Sequence, residues 1–181
     1  IAKQRVVAIA NYQKLAKTYP NAPETGLGLI KLADSLPDKA ALAPLDQAIK
    51  AFPERAGEAL LKKANILEQL NSPTSAKDAR TSVLSQHSNS DAAAELRLSR
   101  AHKAAEANDL ASARQLAEDL VAANPQSELA AEASFWSGKW TEQLGQDARP
   151  AYERTLAQYP ESYFAWRSAV MLGWDVGDFD S

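Results

Sequence analysis

The chain has 181 residues, 45% of them hydrophobic and 24% charged, and its 20 basic and 23 acidic side chains leave a net charge of −3. That is enough apolar content for one ordinary domain, and the near balance of charge gives no global attraction to nucleic acid. Cysteine is absent, which excludes disulfides and thiolate metal sites, and no apolar run approaches the ~18 residues of a membrane span.

Low glycine and abundant alanine favour helix throughout. The opening residues, through Tyr19-Pro20, read as the second helix of a hairpin, and Ile1 in place of an initiator Met suggests a trimmed start. Helices are predicted near 2–18, 24–35, 39–51, 54–70, 74–86, 91–107, 109–123, 127–144, 147–158 and 161–173. Asp38, Asp109 and Ser127 supply start signals, as does Asp147 with Pro150 in the first turn. Pro44 falls inside the third segment, so that helix is expected to kink or to begin there.

The stops between segments repeat. Tyr19-Pro20, Phe52-Pro53, His87-Ser88, Asn124-Pro125 and Tyr159-Pro160 lie about 33 to 37 residues apart, near the ~34-residue period of tetratricopeptide hairpins. Inside the units, Ala64, Asn71, Ala76, Val83 and Ser88 match Ala101, Asn108, Ala113, Leu120 and Pro125 at one constant offset, reading as small residues that let helices approach closely. The expected fold is all-α: a right-handed superhelical stack of antiparallel hairpins, about ten helices, forming one domain over 1–181 trimmed at both ends.

From Ala130 the chain reads AAEASFWSGKWTEQLGQDARPAYERTLAQYPESYFAWRSAVMLGWDVGDF, with a Trp-x-Gly helix, a Leu-Gly hinge and a Tyr-Pro-x-Ser-Tyr-Phe-Ala-Trp step. This resembles the superhelical, U-shaped, tetratricopeptide-like domain of soluble lytic murein transglycosylases. The resemblance implies a periplasmic or cell-envelope location and peptidoglycan glycan strands as the partner. It also implies a separate lysozyme-like domain, C-terminal to the helices, that cleaves without water to leave a 1,6-anhydro end. That domain pairs a Glu-Ser-x-Phe step with Gly-Leu-Met-Gln; the second element is missing here, so the chain is expected to be a non-catalytic scaffold needing no cofactor. Glu161-Ser162-Tyr163-Phe164 does match the first element, but a carboxylate just after Pro160 is explained by the favourable charge at a helix start.

In tetratricopeptide repeats the first helix of each hairpin lines the concave face. With Ala64, Ala101 and Gly138 at the close-packing position, Lys62, Asn65, Ser99, His102, Trp136 and Lys139 are expected to face that groove, as glycan or peptide contacts or as a solvated face. The alternative is a protein-interaction module of an unrelated repeat protein. A chaperone-tail clamp is disfavoured, since Leu61 stands where such a clamp has Lys four residues before Asn65. Neither His87, beside a stop, nor His102 has a second His at metal-ligand spacing, so no metal site is expected. Aromatics crowd the last third; Trp136 and Trp140, and likewise Tyr159 and Tyr163, are spaced to share a helix face. Phe164, Trp166, Met171 and Trp174 mark the last helix as a docking surface for another domain or a second copy of the chain.

Overall fold

A computed structural model describes residues 2–174, and these form ten α-helices with no strand among them. They are α1 (Ala2–Thr18), α2 (Pro23–Asp34), α3 (Asp38–Ala51), α4 (Pro53–Gln69), α5 (Pro73–Gln86), α6 (Asp91–Glu106), α7 (Leu110–Ala123), α8 (Ala130–Gln143), α9 (Arg149–Gln158) and α10 (Tyr163–Met171). Two compact units result, residues 1–93 and 94–181. In the first, each of α1 to α5 packs on its neighbour in sequence, and α2 also meets α4. In the second, α7 to α10 pack in the same serial way, and α8 also meets α10. Serial packing through short turns makes antiparallel hairpins, and contact between alternate helices stacks one hairpin on the next, as in tetratricopeptide-like folds.

Two recurring turns explain the period. At the ends of α4, α6, α8 and α10 one residue is left-handed: Asn71 (φ 58°), Asn108 (φ 60°), Gly145 (φ 74°) and Gly173 (φ 81°). Each is followed by a backbone N–H reaching back to the helix, Ser72 to Leu67 O, Asp109 to Ala104 O, Gln146 to Thr141 O and Trp174 to Ala169 O, at 2.8–3.1 Å. These are four equivalent Schellman caps, and glycine or asparagine occupies them because other side chains are strained there. Asn71 and Asn108 therefore owe their matching spacing to backbone conformation rather than to close packing.

The second turn lies at the stops. Phe52, His87, Asn124 and Tyr159 adopt nearly one conformation, φ −128° to −132°. Each N–H still bonds the carbonyl four residues back, at 2.7–3.0 Å. A proline at the start of α2, α4, α5 and α9 fits the position where a missing N–H costs nothing.

The first unit has a core that is aliphatic but for Phe52: Leu29, Ile30, Ala33, Ala41, Leu45, Ala48, Phe52 and Ala59. Gly26 admits the ring of Phe52: a Cβ there would stand 2.8 Å from its Cγ. The second unit carries Ala101, Ala113, Ala117, Leu120, Ala130, Ala133 and Trp140, with Phe135, Ala148 and Tyr152 packed beside them. Full burial of Phe135 contributes ~2–3 kcal/mol of transfer free energy.

All ten predicted helices form, and α8, α9 and α10 start two or three residues later than predicted, at Ala130, Arg149 and Tyr163. The α3 helix runs through the buried Pro44, which excludes a start there. Ser127 does not begin α8; its side chain accepts from Leu129 N (3.1 Å) in a turn, and the helix starts at Ala130. Asp147 likewise caps a turn through Arg149 N (3.1 Å) ahead of α9. Asp109 caps α7 as predicted, accepting from Ser112 N at 3.2 Å. Tyr159 and Tyr163 do not share a helix face, because the joint between α9 and α10 falls between them.

Candidate functional site

The predicted groove residues fall in both units. In residues 1–93, Lys62 on α4 reaches Asp34 at the end of α2, with Nζ 3.1 Å from Oδ1. Asn65 accepts from Arg80 of α5 (3.3 Å), and Arg80 also pairs with Glu68 at 2.6 Å. Both residues are thus tied to neighbouring helices. The same unit has a groove of about 310 Å³ lined by residues including Ile9, Leu29, Leu32, Leu36 and Pro44, a surface without charge.

In residues 94–181 two of the predicted residues, His102 and Trp136, come together. His102 of α6 sits edge-on to both Trp136 and Trp140 of α8, each with ring centroids 5.5 Å away, and its Nε2 lies 3.5 Å from Glu132 Oε2. Trp136 and Trp140 stack at 5.6 Å with their planes 27° apart, as their four-residue spacing predicts. Trp140 is buried while Trp136 is half-buried, so one ring supports and the other is presented. Lys139, one turn along, is half-buried, and Ser99 is exposed.

Beside this cluster lies a residue the sequence did not single out. The guanidinium of Arg167, on α10, sits 4.4 Å above the Phe135 ring and 5.9 Å from the rings of Trp136 and Tyr163. All three rings are within the ~6 Å range of cation–π attraction. The i,i+4 spacing of Tyr163 and Arg167 is the one signal that could have drawn attention to it.

The docking residues divide. Phe164 and Met171 pack with Leu172 against Phe135, Ala148 and Tyr152, and so belong largely to the core edge. Trp166 and Trp174 are exposed, together with Tyr163 and Val170. Tyr163 and Trp166 stack at 5.9 Å and 25°. Glu161 lies exposed in the turn before Ser162, whose side chain caps α10 by accepting from Ala165 N (3.0 Å). His87 is half-buried at its joint.

A part-buried polar network joins α7, α8 and α9. Arg154 of α9 bonds Glu118 of α7 (2.5 Å) and Ser134 of α8 (3.0 Å), while Ser137 donates to Glu118 (2.9 Å). Ser134 in turn meets Thr155 at 2.7 Å. Tyr152 donates its hydroxyl proton to Glu142 (2.7 Å); burial first, and that bond second, push its pKa upward. Gly138 makes the approach of Tyr152 possible, since a Cβ there would lie 2.6 Å from the ring.

No family model matches the chain, and no characterised protein matches it in sequence. Among solved structures, MamA is similar: 16% identical over 83% of this chain and 85% of that one, with a TM-score of 0.48.

Proposed function

We propose that the chain is a non-catalytic helical-repeat scaffold of a peptidoglycan lytic transglycosylase, holding glycan strands in the cell envelope and positioning a catalytic domain carried elsewhere in the parent protein. The observation that carries this reading is the cluster on α6, α8 and α10: Trp136 half-buried against His102 and Trp140, with Lys139 on its helix and Arg167 over Phe135. A ring presented from a rigid aromatic support, flanked by cations, suits a sugar chain bearing carboxylates. The sequence resemblance to the transglycosylase superhelical domain covers α8 and α10 of this cluster but not α6; its residues 175–179 lie outside the described ones.

A protein-interaction scaffold is the second reading, favoured by the exposed Tyr163, Trp166, Val170 and Trp174 at α10, which would dock a domain or a second copy. Co-sedimentation with purified peptidoglycan sacculi separates the two. Under the first reading the chain sediments with the sacculi, and Lys139→Glu lowers retention while the circular dichroism spectrum is unchanged. Folded wild-type protein that stays in the supernatant overturns the glycan reading and leaves protein docking.

A further inference from the structure

We infer that Arg167 is a carboxylate-recognition residue, and that its ligand is a carboxylate carried by the peptide-substituted sugars of a glycan strand; this rests on the peptidoglycan reading above. Three features of its setting lead there. The guanidinium carbon lies over the Phe135 ring, 4.4 Å from its centroid, and 5.9 Å from the ring centroids of Trp136 and Tyr163. A cation–π contact uses none of its N–H groups as ordinary hydrogen-bond donors, and a guanidinium offers five in a fork that matches a carboxylate. Among the described residues no acid or carbonyl accepts from it, whereas the nearby acids are committed: Glu132 faces His102, and Glu142 accepts from Tyr152.

The surroundings raise the strength of such a contact. Phe135 is fully buried and Trp136 half-buried, so the floor beneath the cation is apolar and an ion pair there is screened less than one in open water. The side chain's freedom is already restricted by the stack, so less conformational entropy is lost when the anion arrives. Tyr163 and Trp166, stacked beside it and 61% and 41% exposed, offer flat faces to the apolar side of a sugar ring. A cation with free donors next to an aromatic platform selects a ligand with an acid next to a ring.

The test is calorimetric titration of the whole chain with a soluble muropeptide, with a neutral chitooligosaccharide that has the same linked N-acetyl sugars but no carboxylate, and with a short acidic peptide. The muropeptide should bind about tenfold or more tighter than the neutral sugar, and its affinity should fall between ~50 and ~500 mM salt. Arg167→Gln should erase that advantage, and Arg167→Lys, which keeps charge but loses the fork, should restore only part of it. Equal binding of the two sugars by wild type overturns the carboxylate role while leaving the glycan reading standing. Binding of the acidic peptide alone overturns both. If Arg167→Gln fails to fold, Arg167→Lys decides: a muropeptide advantage as large as that of wild type overturns the role of the Arg167 fork.

Discussion

Residues 1–93 and 94–181 use the same turns but equip their helices differently. In the first unit the predicted groove cation, Lys62, is neutralised by Asp34, and Asn65 is held by Arg80, over a core that is aliphatic but for Phe52. In the second, rings carry or share the support: Arg167 rests on Phe135, and His102 meets two tryptophans as well as the Glu132 carboxylate. A cation held by a carboxylate has little left to offer a ligand; one held by a ring keeps its hydrogen-bond donors. The difference teaches that a repeat can be uniform in backbone while chemical opportunity is concentrated in one part.

The strongest challenge to this contrast is Phe135→Ala, which removes the ring that supports Arg167 and joins α8 to α10. It should cost ~3–5 kcal/mol in urea unfolding, and hydrogen exchange should accelerate in α8–α10 far more than in α2–α4. Next, Gly138→Ala should cost ~1–3 kcal/mol through collision with Tyr152, and the cost should shrink in a Tyr152→Leu background, as a double-mutant cycle would reveal. A Gly138→Ala penalty that is unchanged by Tyr152→Leu would break the packing account.

Alkaline titration sharpens the same point. Tyr152 and Tyr159 both have raised pKa values, chiefly from burial, so the folded state holds their protons more tightly than the unfolded state. Their contribution is complete below the unfolded value of ~10 and is lost as pH rises above it. Urea midpoints should therefore hold steady to about pH 10 and then fall, less steeply in Tyr152→Phe. The smallest effect is expected in the first unit. Because Lys62 and Asp34 are both solvent-accessible, Lys62→Met should shift stability by less than ~1 kcal/mol, and raising the salt concentration should shrink that shift further.

The helices and their period were legible because both turn types leave marks in sequence: prolines at helix starts, and glycine or asparagine where φ turns positive. The meaning of Asn71 and Asn108 was not, since a left-handed cap and a close-packing position look alike when both recur at one offset. Lys62 was read as free for the groove because its partner, Asp34, lies on another helix 28 residues away. Arg167 escaped for a similar reason: the ring beneath it belongs to α8, and no rule of periodicity links 135 to 167. The division of the C-terminal residues into core Phe164 and Met171 and exposed Trp166 and Trp174 depended on which side α8 occupies, which apolar residues spread around the helix do not reveal.

The hydrogen bonds between neighbouring hairpins have a mechanical implication. Tyr159 reaches Pro125 across 34 residues, and Arg154 reaches Glu118 across 36, so both ties join the α8–α9 hairpin to the α6–α7 one. Chains with such short-range connectivity fold quickly and, when pulled, need not fail all at once. Tension applied to residues 94–181 should peel away one hairpin at a time, each of about 35 residues releasing up to ~120 Å of slack, so that the segment behaves as an extensible spring rather than a brittle strut.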